Sequence, residues 1–141
     1  MYPKFLLAVS GTIFLVYGVA CWINPELPAE YAGLFIATHN GYAEIAAMYG
    51  GLQSSFGAVL VASAFLKGYQ RPGLWLILIC IGTLAAARAS VALSGLDSSF
   101  QVANSSLGID VSSSFTSYTW GALAFEVFIA LWAGLALLRK G

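Results

Sequence analysis

Two side chains in this sequence are charged where charge is expensive. Arg88 sits in Thr83 to Leu93, TLAAARASVAL, and Glu126 sits in Ala124-Phe125-Glu126-Val127-Phe128. Their neighbours are small or apolar. A guanidinium presents a planar fork of N–H donors, and a carboxylate accepts two of them side by side. A lone arginine in the middle of a bilayer costs roughly 2.5–3.5 kcal/mol on insertion scales, and a facing carboxylate offsets much of that. At 1.5 Å of helix rise per residue, Arg88 lies roughly 10 Å and Glu126 roughly 13 Å inside the same end of their apolar stretches. The depths match, so the sequence predicts that Arg88 and Glu126 pair.

Further polar groups are candidates to join them, Gln53 by its depth. Glu44 opens the second apolar stretch, Gln53 follows about nine residues further in, and Tyr49 lies one turn before Gln53. The candidate cluster is Arg88, Glu126, Gln53, Tyr49 and Glu44. It supports two readings. One is an ion pair that fixes which helices meet and in what register. The other is a ligand or proton site, with Arg88 contacting an anion or carbonyl and Glu126 or Glu44 accepting a proton. Intramembrane charges are functional candidates, but the structural reading is preferred.

Other chemistry is sparse. His39 is the only histidine, and no HxxxH, ExxH or CxxC spacing accompanies it, so neither a metal nor a cofactor is expected. Cys21 and Cys80 differ in depth by well over ~10 Å, too far for a disulfide. Both are expected to be packing residues. No glycine-rich phosphate loop and no Ser-His-Asp set can be assembled. Asn104-Ser105-Ser106 has the form of a glycosylation sequon, which matters only in a eukaryotic secretory setting.

The elements that must carry these groups follow from composition. The 141 residues are 60% hydrophobic and 9% charged, against roughly a quarter charged in soluble domains. Four apolar stretches, at about 5–23, 43–66, 74–94 and 118–138, each approach the ~20 residues that a membrane helix needs. Unpaired backbone is excluded from lipid, so each is read as a helix. The expected fold is all-α: a single transmembrane domain over 1–141, an antiparallel up-down four-helix bundle. Net charge is zero, which gives no basic surface for nucleic acid.

Basic residues set the orientation. Lys4, Lys67, Arg71, Arg139 and Lys140 fall at one side, while the links 24–42 and 95–117 hold Glu26, Glu30, Asp97 and Asp110 and no Lys or Arg. The positive-inside rule then places both termini in the cytoplasm, with Trp22, Trp75 and Trp120 at the interfaces. Leu27 to Phe35 is expected to form a short surface helix, Asn40-Gly41 to start the second span, and 95–117 to be an exposed loop. Small residues recur every four positions: Ala46, Gly50, Ser54, Ala58 and Ala62; Gly82, Ala86, Ser90 and Ser94; Ala122, Ala130 and Gly134. Such seams let membrane helices approach closely.

The segment Glu44 to Gln53 with its Tyr49-Gly50-Gly51, then Arg88-Ala89-Ser90 before Gly95, then Glu126 in the last helix, together resemble the bacterial membrane family called domain of unknown function 4345. The resemblance spans nearly the whole chain. It implies four membrane helices in a bacterial inner membrane and brings no established activity. The family's basic residue shortly before Tyr-Gly-Gly is replaced here by Ala46 and Ala47. The expected function is a non-enzymatic membrane protein that packs in a larger complex or against itself, with membrane lipids around it. The alternative is a binder, carrier or enzyme for a small amphiphile or anion.

Overall fold

The computed structural model describes residues 3–94 and 116–138. The sequon, Asp97, Asp110, Arg139, Lys140 and the expected loop over 95–115 lie outside them. Among the described residues there is no strand. The helices are α1 (Pro3–Ile23), a short α2 (Glu26–Ala32), α3 (His39–Phe65), α4 (Gln70–Leu93) and α5 (Ser117–Leu138). All except α2 are long and apolar enough to cross a membrane.

Two helix starts fall four residues earlier than the apolar pattern indicates, for local reasons. Thr38 is in extended conformation and its Oγ accepts the Gly41 N–H at 3.2 Å, so α3 begins at His39, ahead of the apolar run at 43 and one residue before the expected start at Asn40-Gly41. Pro72 lies in the first turn of α4, where a missing N–H breaks no bond, so that helix begins at Gln70 rather than 74. The surface helix is displaced slightly. Asn24 accepts the Glu26 N–H at its start, and Gly33 ends it in the left-handed region (φ 68°), where the Leu34 N–H reaches back to Ala29 at 2.8 Å.

Both α3 and α4 contain a π-helical segment, Ala46–Leu52 and Ile77–Ile81. Widened turns strain the regular ladder. At the end of the first, the hydroxyls of Ser54 and Ser55 both donate to the Gly51 carbonyl, at 3.0 and 2.8 Å.

The apolar core lies at one end of the molecule, beside the short link between α3 and α4. Leu6 and Leu7 of α1, Leu60 and Ala64 of α3, Leu74, Ile77 and Ile81 of α4, and Ile129, Ala133 and Leu137 of α5 form one buried cluster. Lys4 sits over the Phe65 ring at 4.8 Å at the same end. Above the core, Phe14 meets Phe56 edge-on at 5.1 Å and Phe125 at 6.2 Å. From there to the far end, packing rests on a backbone-to-backbone seam between α1 and α3. A Cβ on Gly18 would lie 2.3 Å from the Ser54 nitrogen, one on Gly57 2.3 Å from the Leu15 nitrogen, and one on Gly50 2.7 Å from the Trp22 Cα.

The observed seams differ from the every-fourth-residue stripes. On α3, Gly50, Ser54 and Gly57 are buried, while Ala58 and Ala62 are exposed. Their partners Gly11 and Gly18 on α1 are spaced seven apart. On α4 the stripe leaves the bundle after Gly82: Ala86 and Ser90 are exposed, and the buried residues are Gly73, Leu74, Ile77, Ile81 and Ala85. On α5, Ala130 and Gly134 do pack, alongside Glu126.

Candidate functional site

Arg88 and Glu126 meet. The Arg88 Nε donates to one carboxylate oxygen at 3.0 Å and an Nη donates to the other at 2.9 Å, a side-by-side arrangement joining α4 to α5. Glu126 is buried, with 6% of its side chain exposed, while 26% of the Arg88 side chain is exposed. The acid is thus enclosed and the base reaches it from a more open position. Near this level Gly82 faces Ala130 and Gly134 faces Leu78. These short side chains let α4 and α5 run close enough for a direct ion pair.

The other candidates divide. Tyr49 is half-buried in the π segment of α3 and lies within electrostatic reach of Arg88. Gln53 is half-buried, its backbone pressed on Gly18 of α1, and it takes no part in the hydrogen bonds of the pair. Glu44 is exposed on the first turns of α3 and is likewise outside those bonds. None of the three is hydrogen-bonded to the pair. Cys21 is buried, but Cys80, expected to pack, is exposed. The chain matches no family model, no curated protein and no solved structure.

Three residues not singled out from the sequence complete the site. Tyr17 of α1 has an enclosed hydroxyl that makes no hydrogen bond of good geometry among the described residues. Tyr118, at the start of α5, and Cys21 are its electrostatic neighbours. Tyr118 also lies within reach of both Tyr49 and Arg88, and Tyr31 of α2 stacks on its ring at 6.4 Å. The tyrosines of four helices and the arginine of the fifth therefore gather at the end away from the core. The available signal was a Tyr on each element but α4, a pattern that also fits an interfacial belt.

A separate open cleft of about 750 Å³ lies between α2 and the start of α3, lined by Glu26, Glu30, Thr38, His39 and Tyr42 among others. Among the described residues, no three His, Cys, Asp or Glu side chains are grouped to hold a metal ion.

Proposed function

We propose that this chain is a multi-pass protein of a bacterial inner membrane, related to the domain of unknown function 4345 family. In this reading it is a non-enzymatic accessory or assembly subunit that packs laterally against another membrane protein or a second copy. The observation that carries the reading is the outward seam of α4. Thr83, Ala86, Ala87 and Ser90 are all exposed, and the Ser90 hydroxyl is turned back onto the Ala87 carbonyl at 2.7 Å. A strip this low in relief lets another helix backbone come close, whereas lipid gains little from it. The Arg88–Glu126 pair then has a mechanical role: it holds α4 on α5, so that the seam is presented on a fixed support.

An antiparallel up-down bundle with cytoplasmic termini completes the proposal. Gly11 pairs with Val61, Leu15 with Gly57, Gly18 with Ser54 and Trp22 with Gly50, positions that climb α1 while descending α3. Gly82 with Ala130 and Arg88 with Glu126 do the same on α4 and α5. Lys4 meets Phe65 close to Lys67 and Arg71, which gathers positive charge at one end, as the positive-inside rule requires of a cytoplasmic face.

Native-size separation in mild detergent tests the assembly. The wild-type particle is expected to exceed one chain plus its micelle, and Ala86→Leu with Ser90→Leu to shrink it to a monomer of unchanged thermal stability. A wild-type particle that is strictly monomeric refutes the proposal.

A further inference from the structure

The link end of the molecule carries charge of one sign. Lys4, Lys67 and Arg71 are all exposed there. The acids among the described residues lie elsewhere: Glu26 and Glu30 on α2, Glu44 near the start of α3 and Glu126 midway along α5. Packing brings the three cations to one edge. The Lys4 ammonium is seated over the ring of Phe65 at 4.8 Å, and Lys67 follows two residues later in the chain. Gly68, at φ 83°, and the Tyr69 N–H, which donates to the Leu66 carbonyl at 3.3 Å, fold the chain back tightly, so that Arg71 falls in the first turn of α4. A Cβ on Gly73 would lie 2.7 Å from the Ser63 Cβ and 2.9 Å from a methyl of Leu7. The start of α4 therefore rests on both the end of α3 and the start of α1.

Like charges held at one edge without a counter-charge repel one another, and an anion among them relieves this. The surroundings decide which anion. Phe65 lies beneath Lys4, and Trp75 lies one turn from Arg71 on the same side of α4. Both rings are exposed, as is Leu66. The link over 66–69 is too short to project its charges into solution, so they stay at the border of the apolar spans, at the level of lipid head groups. A phospholipid meets the charges with its phosphate and the rings with its chains. An acidic soluble protein would meet the charges alone.

We propose that Lys4, Lys67 and Arg71 bind the phosphate of one anionic phospholipid, whose acyl chains lie along Phe65 and Trp75. The phosphate oxygens accept from the guanidinium fork of Arg71 and from the two ammonium groups. Net charge selects the lipid. A zwitterionic head carries its own cation, which these three repel, whereas an anionic head brings negative charge alone. The proposal rests on the membrane-spanning reading and not on the lateral assembly, whose seam lies further along α4.

The experiment uses the full chain in a non-ionic detergent, titrated with dioleoyl phosphatidylglycerol or dioleoyl phosphatidylcholine and read by native mass spectrometry. The wild type is expected to retain one phosphatidylglycerol per chain and to bind phosphatidylcholine at least about tenfold more weakly. Lys67→Gln and Arg71→Gln should each weaken phosphatidylglycerol binding about fivefold, and the double variant about thirtyfold. Both side chains are exposed, so without lipid the double variant should melt with the wild type. Glu30→Gln makes the same size of charge change at the opposite end and should leave binding unchanged. Equal binding of the two lipids overturns the proposal, and so does undiminished binding by the double variant. A gain from Glu30→Gln as large as the loss from Lys67→Gln also overturns it, since attraction would then follow net charge and not this edge. The same spectra count the chains per particle, so loss of assembly and loss of lipid selectivity are read apart.

Discussion

Replacing Glu126 by Gln is the sharpest probe of how the fourth and fifth helices are held together. The amide keeps the shape and loses the charge. Its oxygen accepts one guanidinium N–H, but its NH2 group faces the other donor. Removing one member of a buried pair costs about 3–5 kcal/mol, chiefly because the other charge is stranded. Here a quarter of the Arg88 side chain is exposed, and a long basic side chain relaxes towards the interface. Glu126→Gln is therefore placed at the lower end, about 3 kcal/mol. Arg88→Met strands the carboxylate, which is almost fully enclosed, and belongs at the upper end, about 4–5 kcal/mol. The double variant Arg88→Met with Glu126→Leu leaves no charge behind. Apolar replacement of buried pairs is often neutral or stabilising, so the double variant should be more stable than either single. Reversible unfolding in mixed micelles, followed by tryptophan fluorescence, gives all three free energies. The cycle should show a coupling of at least about 2 kcal/mol. A Glu126→Gln loss below about 1 kcal/mol, or a double variant as unstable as the two singles added, would show that the pair does not fasten these helices.

Two further outcomes follow from the packing. Gly57→Ala drives a methyl group to 2.3 Å from the Leu15 nitrogen and 2.6 Å from the Gly11 carbonyl. Neither backbone atom can turn aside, so the seam must open, at about 1–3 kcal/mol or more. Gly51→Ala has nothing within 4 Å of the new atom and should fall within about 0.5 kcal/mol of the wild type, in the same unfolding assay. Finally, a water-soluble maleimide should label neither thiol of the folded protein, because Cys21 is buried and Cys80 lies on the outer surface midway along a membrane-length helix, and both after denaturation. Mass spectrometry of the labelled chain counts the thiols, and two labels on folded protein would contradict the α1–α3 packing.

What the sequence disclosed was whatever depends on one coordinate along a helix. Span lengths follow from apolar runs, and the Arg88–Glu126 pairing follows from depth alone because each charge had a single partner that could neutralise it. Properties that depend on rotation about the helix were harder to read. A four-residue stripe drifts around a helix of 3.6 residues per turn, so Gly50 and Ser54 face α1 while Ala58 and Ala62 have turned away. The glycines that make the α1–α3 contact, Gly11 with Gly18 and Gly50 with Gly57, keep a spacing of seven and stay on one side. The π segments compound the difficulty, because each shifts the facing of every residue after it, and no residue type announces them. Gln53 follows directly on such a segment, and its predicted meeting with Arg88 assumed an unbroken α-helix. Tyr17 was invisible for a different reason: the enclosure of a hydroxyl is a property of the packed state, and nothing in Leu15 to Val19 distinguishes it from an interfacial tyrosine.

The two ends of the molecule are stabilised by different physics, and this bears on which end can do something. At the link end, side chains from all four long helices interlock in one apolar cluster. Dispersion and burial there are shared among many contacts, so no small change opens it. At the far end α1 holds α3 through backbone contact, and α4 meets α5 through small side chains and an ion pair, while the last turns of α4 pack on α5 rather than on α3. The far end is thus two firm pairs hinged at a common core. Local opening takes the path with the fewest buried contacts, which here separates the α1–α3 pair from the α4–α5 pair. Tyr17 and Tyr49 lie on the α1–α3 side of that parting line, and Tyr118 and Arg88 on the α4–α5 side. Amide exchange in Gly82 to Leu93 should therefore be faster than in the α1–α3 seam, and hydrogen exchange read by mass spectrometry checks this; equal protection of the two would show that the far end opens as one unit.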